Sequence, residues 1–73
     1  MVPLAKVSQG SNAKIAQLHG KKQAQIVNPM GIRVGKYIEI IRNEKKGPIL
    51  LKVDESRIAL GRGMAMNILV EEK

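Results

Sequence analysis

The stretch "MGIRVGKYIEII", residues 30–41, joins a glycine-rich turn to an alternating apolar segment. Its two glycines and the lysine that follows suggest a phosphate-binding loop. Such a loop needs four residues between the glycines, a Ser or Thr after the lysine, and a helix behind it. Only three residues separate Gly31 from Gly35, Tyr37 follows Lys36, and a strand pattern comes next. The stretch is therefore interpreted as a turn that leads into a strand.

The segment that follows this turn, residues 36–41, predicts a strand with one buried face. Ile38 and Ile40 fall on one side of an extended chain, and Tyr37, Glu39 and Ile41 fall on the other. Alternation of this kind is typical of a half-buried strand. Ile38 and Ile40 are therefore expected in the core.

Four more strands are predicted, at residues 13–18, 49–53, 57–60 and 67–71, with turn-forming residues between them. The first alternates imperfectly, which indicates either a bulge or a strand covered on both faces. Gly47 is expected to supply the backbone freedom that the hairpin loop before the third strand needs. The patterns place these side chains inward: Ile49, Leu51, Val53, Ile58, Leu60, Ile68 and Val70.

Two short helical segments are predicted among the strands. Residues 21–27, "KKQAQIV", combine helix-forming side chains with no strand alternation. Pro29 disfavours helical geometry at Asn28, so this helix is expected to end there. Residues 61–66 are expected to form a helical turn before the last strand. The chain is thus predicted to be one mainly β domain over residues 1–73, a small five-stranded barrel whose closure removes exposed strand edges.

The composition restricts how this domain is stabilised. The chain has 73 residues, no cysteine and one aromatic side chain, Tyr37, so a small aliphatic core must hold it together. No apolar run approaches the length of a membrane span, and residues 1–10 lack the pattern of a signal peptide. A cytoplasmic location is expected.

The charge of the chain is positive and unevenly distributed. The formal net charge is +7, and residues 1–42 carry seven Lys and Arg side chains against one acid. Such a basic domain is suited to nucleic acid, an anionic membrane surface or an acidic protein face. Solubility alone is the other explanation.

The sequence offers little for catalysis. His19 is the single histidine, and four of the six carboxylates occur as two pairs, one in a turn at 54–55 and one near the end of the chain at 71–72. Neither pair has the enclosed setting that separates acid from base roles. One histidine and no cysteine also give no metal-binding spacing. A non-enzyme without a cofactor or metal site is predicted.

Two binding functions remain open at this point. Outward apolar side chains at Ile41, Leu50 and Leu69 either are covered by other segments or form a docking patch with a basic rim. Nucleic-acid binding is the alternative, although Tyr37 is the one aromatic side chain available for stacking on bases. A phosphate-directed mode would use these cations: Lys14, Lys21, Lys22, Arg33 and Lys36.

The order of three motifs identifies a family resemblance. "MGIRVGKYIEII", then "GPILLKV", then "RIALGRGMAMNILV" resembles the ferrous iron transport protein A (FeoA) family over residues 4–71. The resemblance implies an SH3-like barrel. The same fold occurs as a C-terminal domain of iron-dependent repressors. Because no helix-turn-helix segment precedes it here, a stand-alone transport accessory is favoured.

The resemblance also implies roles for the opening stretch. Met30 and Ile32 are similar to the apolar residues that hold the end of the helix against the barrel. Gly31 and Gly35 are similar to the glycines that turn the chain into the second strand. Family members usually carry a leucine pair before this corner, whereas this chain has residues 27–29, "VNP", which indicates a shorter helix.

The function that the resemblance implies is docking on the membrane ferrous iron transporter (FeoB), whose cytosolic part is a GTP-binding domain. The chain would act there as an adaptor, with no catalytic step, and self-association stays open. From charge and exposure alone, the contact surface is expected at Lys22, Ile26, Arg33, Lys36 and Leu50. Replacing Arg33 and Lys36 with Glu is expected to abolish binding and preserve the fold.

Overall fold

A computed structural model describes residues 1–73 as one six-stranded antiparallel sheet with two short α-helices. The strands are β1 (Val2–Pro3), β2 (Asn12–Leu18), β3 (Tyr37–Arg42), β4 (Ile49–Val53), β5 (Ser56–Leu60) and β6 (Ile68–Glu72). The helices are α1 (Lys21–Val27) and α2 (Arg62–Ala65), and 3-10 turns occupy Leu4–Lys6 and Asn28–Met30. The mainly β class and both helical segments are confirmed.

The sheet contains one strand more than the five predicted. Val2 pairs with Val70 and Pro3 with Leu69, so the first residues form a short strand against β6. Two residues, one of them proline, are too few to show an alternating pattern. The strand order is β1-β6-β2-β3-β4-β5, and no pairing joins β5 to β1. The expectation that closure removes every strand edge is therefore wrong.

Bulges bend the sheet where the sequence pattern is irregular. The register of β2 against β6 shifts between Ile15 and Gln17, and that of β3 against β4 shifts between Ile40 and Arg42. A bulge bends its strand and increases the twist, which lets a small sheet wrap around a core. Of the two explanations for the imperfect alternation at residues 13–18, the bulge is confirmed.

The core is aliphatic, as the composition requires. It contains 16 buried residues, all apolar. The predicted inward side chains are buried except Ile58, which is half-buried and packs against the core. Leu4 and Val7 of the N-terminal segment are fully buried as well. Sixteen residues form a small core, in keeping with the modest surface that such a short chain can bury.

The end of α1 differs from the prediction in its geometry. Asn28 has φ −58° and ψ −43°, so the backbone is still helical at Asn28 although Pro29 follows it. The helix instead continues as a 3-10 turn with Pro29 in its first turn. A proline is tolerated in that position because the first N–H groups of a helical segment have no partner within it.

Candidate docking surface

The turn at residues 31–36 is held against β2 by backbone hydrogen bonds. Gly31 and Gly35 both have φ of +92°, a conformation that favours glycine. The Gly35 N–H donates to the Ile15 carbonyl oxygen at 2.7 Å, and the Ile15 N–H donates to the Lys36 carbonyl oxygen at 2.9 Å. Both glycines therefore lie in the turn, with backbone conformations that suit glycine.

Two apolar residues at this turn have opposite surroundings. Ile32 is fully buried, and its N–H donates to the Val27 carbonyl oxygen at 3.2 Å, so it does hold the helical segment against the barrel. Met30, expected to do the same, is 42% exposed. Met30 ends a 3-10 turn on the outside of the domain and is therefore corrected from core to surface.

Exposed apolar side chains are concentrated between α1 and the turn. Ile26, Met30 and Val34 are 44%, 42% and 63% exposed, and we call this set the apolar strip. Ile26 and Met30 are four residues apart in continuous helical backbone, which places them on one side of it. Sequence reasoning found Ile26 but missed Val34. Helical spacing gave no signal for Val34, because the left-handed Gly31 ends the helical backbone before it.

Cations lie along the same segment. Lys21, Lys22 and Arg33 are exposed and form no ion pair. Lys36 differs, because its Nζ lies 2.7 Å from Asp54 Oδ2 in an ion pair that joins the turn to the β4–β5 connection. Reversing the charge of Lys36 would break this pair. Because both side chains are largely exposed, the pair contributes little to stability, and the expectation that an Arg33 and Lys36 double reversal preserves the fold stays a prediction.

Leu50 does not lie with the other predicted contact residues. It is half-buried on β4, opposite Ala59 and Arg42. The turn contacts the far end of β4, where a Cβ added to Gly31 would lie 3.6 Å from Val53. Three extended residues separate Leu50 from Val53, or about 10 Å. The structure thus brings Lys22, Ile26 and Arg33 into one segment and leaves Leu50 apart.

The three outward residues that suggested a docking patch are partly covered. Ile41, Leu50 and Leu69 are all half-buried, and none is among the large exposed apolar side chains. Strand phase places a side chain outside the barrel, but it does not show which segments cover it. Three of the six large exposed apolar side chains belong instead to the apolar strip, at α1 and the turn.

A second surface lies on the outer face of β2, β3 and β4. Tyr37 is 61% exposed, and Lys14 Nζ lies 5.8 Å from the centre of its ring. Beside them is an open groove of about 540 Å³ whose lining carries both signs of charge: Lys52 and Lys73, Glu39 and Asp54. The acids would repel a phosphate backbone.

The domain also contains a polar cluster that sequence reasoning missed. Arg62 of α2 donates through Nη1 to Asn43 Oδ1 at 3.0 Å and to the Glu44 carbonyl oxygen at 2.6 Å, and through Nη2 to the Ala5 carbonyl oxygen at 3.2 Å. Asn43 Nδ2 donates to the carbonyl oxygens of Ala5 and Val7. We call this arrangement the Arg62 clasp. It joins the N-terminal segment, the β3–β4 loop and α2, which are too distant in sequence to be recognised together.

The structure contains neither a cluster of candidate metal ligands nor a helix that could span a membrane. No group of three or more His, Cys, Asp or Glu side chains lies together in the structure, and His19 is exposed after β2. Neither helix has the length and apolar character that crossing a bilayer requires.

Comparisons with known proteins agree with one another. The FeoA domain family matches residues 2–72. A provisionally named Fe(2+) transport protein A of Methanocaldococcus jannaschii is 37% identical over 73 residues, which is 99% of this chain and 88% of the relative.

The solved structures show the same barrel. An iron uptake regulatory protein (FeoA) superposes with a TM-score of 0.88 at 30% identity, covering 99% of this chain and 96% of that one. A FeoA-like protein from Clostridium acetobutylicum gives 0.85 at 27% identity, covering 97% and 85%. ScaR with bound Zn2+ shares the fold at 0.90 and 23% identity, although this chain covers 37% of it. The chain is an SH3-like small β domain and belongs to the FeoA domain family of ferrous iron transport.

Proposed function

We propose that this chain is a cytoplasmic accessory protein of ferrous iron uptake that docks on the GTP-binding domain of the membrane transporter, FeoB, and modulates it. The family supports the link to Fe(2+) transport. The observation that carries the docking role is the apolar strip with unpaired cations beside it. No catalytic step belongs to the proposal.

The apolar strip supplies the binding energy in this account. Its side chains are 42% to 63% exposed, so a partner can remove further apolar surface from water. Interfaces typically combine such an apolar centre with a polar rim. Ile26 and Met30 form the helical part, and Val34 extends it into the turn.

The cations beside the strip supply orientation. Lys22 begins α1 and Arg33 precedes Val34, and both are exposed. Charges at the rim of an interface mainly accelerate association and select partners of the opposite sign. The partner surface is therefore expected to be apolar with an acidic border.

Nucleic-acid binding remains a second candidate because of one observation. Tyr37 is exposed beside Lys14, a pairing that could stack a base and contact its phosphate. In the adjoining groove Glu39 and Asp54 offset Lys52 and Lys73, so the groove offers no net positive charge to a backbone. This reading therefore ranks below docking on a protein.

An NMR titration of the isotope-labelled chain distinguishes the two functions. The transporter's GTP-binding domain is added to one sample and a mixed RNA and DNA oligonucleotide to another, at equal ionic strength. We expect saturable shifts with the protein domain, concentrated at residues 22–34. Shifts around Tyr37 with the oligonucleotide alone, fading as salt rises, would instead support nucleic-acid binding.

A further inference from the structure

One edge of the sheet is open and regular. The sheet ends at β5 on one side and at β1 on the other. The β1 edge is protected, because it has two residues and one of them is proline. By contrast β5 pairs with β4 over all five of its residues, without a register shift or proline. An unpaired edge of this kind is a template for another strand.

The hairpin geometry shows which backbone groups are free on β5. Val53 and Ser56 close a two-residue turn, and the pair that closes such a turn is hydrogen-bonded. Because hydrogen-bonded and non-bonded pairs alternate in an antiparallel ladder, Arg57 and Ala59 direct their N–H and C=O groups away from β4. Neither residue takes part in a backbone hydrogen bond outside the ladders, and both side chains are exposed.

We propose that β5 pairs with β5 of a second copy of this chain, antiparallel about a two-fold axis at Ile58. In this register Arg57 and Ala59 exchange backbone hydrogen bonds with Ala59 and Arg57 of the second copy. The two arginines lie diagonally across the strands and not directly opposite each other, which reduces the like-charge repulsion of a cross-strand pair. The interface is isologous, which is the usual form of a dimer contact.

The outer face of β5 supports this register. Ala59 lies opposite the half-buried Leu50 of β4. Pairing would place Arg57 of the second copy next to Ala59. Its aliphatic stem could then cover the remaining exposed surface of Leu50, while its guanidinium stays in water. Leu50 lies apart from the apolar strip, and in this dimer it would be covered by Arg57 of the second copy.

Charge complementarity selects a second copy over an arbitrary extended peptide. The register brings Glu55 opposite Gly61 of the second copy, next to Arg62. Arg62 Nη1 donates to the carbonyl oxygens of Glu44 and Gly47, so the β3–β4 loop lies beside it.

That loop carries unpaired cations. Lys45 and Lys46 are exposed, as is Glu55, and the ion pairs of this chain involve other residues. The two-fold axis therefore brings Glu55 of each copy towards Lys45 and Lys46 of the other, once at each end of the paired strands. Because each copy has a net charge of +7, these local attractions must offset a general repulsion.

Sedimentation equilibrium of the full chain from micromolar to millimolar concentration tests the pairing. We expect the mean mass to rise towards twice that of one chain. In a mixture of labelled and unlabelled chains, an isotope-filtered NOE should connect the α-protons of Ile58 across the axis, since non-bonded pairs bring these protons close. A constant single-chain mass, or a dimer whose intermolecular NOEs arise elsewhere, would overturn the proposal. An added extended acidic peptide that binds β5 of a chain that stays monomeric would also overturn it.

Two charge-reversal variants distinguish a local contact of Glu55 in this register from a general effect of net charge on association. Glu55→Lys should raise the dissociation constant of the dimer by about tenfold, because residue 55 would face Lys45 and Lys46 in the β3–β4 loop of the second copy. Glu72→Lys changes the net charge equally but lies on β6, and it should have a much smaller effect. Equal weakening by both variants would contradict the register.

A backbone variant tests the edge directly. Ala59→Pro removes a donor that has no partner within the chain, at an edge position where proline is tolerated. It should abolish the dimer and preserve the chemical-shift pattern of the core. A folded Ala59→Pro chain that dimerises with unchanged affinity would rule out pairing through β5.

Discussion

At the scale of single residues, backbone conformation explains more of the decisive turn than side-chain chemistry does. Gly35 has φ of +92° and donates its N–H to the Ile15 carbonyl oxygen. Nothing lies within 4 Å of a Cβ built on it, so the cost of a side chain there is conformational and not steric. The glycine-lysine pair that suggests phosphate binding thus fixes a change of chain direction.

Gly35→Ala should lower the free energy of unfolding by about 1–2 kcal/mol, the cost of a left-handed conformation for a residue with a Cβ. Gly63→Ala is the matched control, since Gly63 lies in α2, has no positive φ and also has free space around it. Alanine should slightly stabilise that helix. Urea denaturation of both variants gives the comparison, and an equal loss in the two would contradict the conformational explanation.

The Arg62 clasp supplies a second prediction for a single residue. Arg62→Lys keeps the charge but loses the planar fork that contacts several carbonyl oxygens at once. We expect the free energy of unfolding to fall by about 1–3 kcal/mol. Arg33→Lys, at an exposed arginine without an ion pair, should leave stability unchanged. Thermal and urea denaturation would show the difference, and an unaffected Arg62→Lys chain would mean that the clasp is not a stabilising contact.

At the scale of elements, the sequence predicts what depends on local pattern. The bounds of α1 and β4 are the same as those predicted. Helix propensity and the alternation of apolar and polar side chains both depend on a few neighbouring residues, so the sequence shows them directly. The strand at Val2–Pro3 exists through its pairing with β6, and the exposure of Met30 depends on where the 3-10 turn lies against the barrel. These features arise from long-range contacts, which no local period shows.

Strand phase gives a prediction at this scale. Ile40→Val should cost about 0.5–1.5 kcal/mol, because Ile40 is fully buried on the inner face of β3. Ile41→Val is the matched control, one residue away and half-buried on the outer face. Its cost should be less than half as large. Chemical denaturation measures both, and a larger effect at Ile41 would contradict the assigned phase.

At the scale of the whole molecule, charge and apolar exposure occur on the same part of the chain. Residues 1–38 carry six Lys and Arg side chains and no acid. The apolar strip lies within this range, whereas the acids are found on the later strands and loops. The candidate surface could be predicted in part, since Lys22, Ile26 and Arg33 lie on it. Leu50 could not be excluded from sequence, because its distance from the turn depends on how the sheet folds.

Reversing two of these charges tests the electrostatic part of docking. The double variant Lys22→Glu and Arg33→Glu should weaken binding to the transporter's GTP-binding domain by about tenfold at low salt, mainly through slower association. The difference should shrink as salt screens exposed charges. Lys6→Glu with Lys73→Glu makes the same change in net charge at exposed positions outside residues 22–34. Surface plasmon resonance at two salt concentrations measures both, and equal weakening would point to net charge alone.

The most direct test of the central claim compares two methionines of similar exposure. Met30 is 42% exposed in the apolar strip, and Met66 is 45% exposed after α2. The dissociation constant for the transporter's GTP-binding domain would be measured by calorimetry for Met30→Ser and Met66→Ser. We predict that Met30→Ser weakens binding by about tenfold, as the loss of ~1.4 kcal/mol would, and that Met66→Ser has no effect. Unchanged affinity in Met30→Ser would contradict docking through the apolar strip.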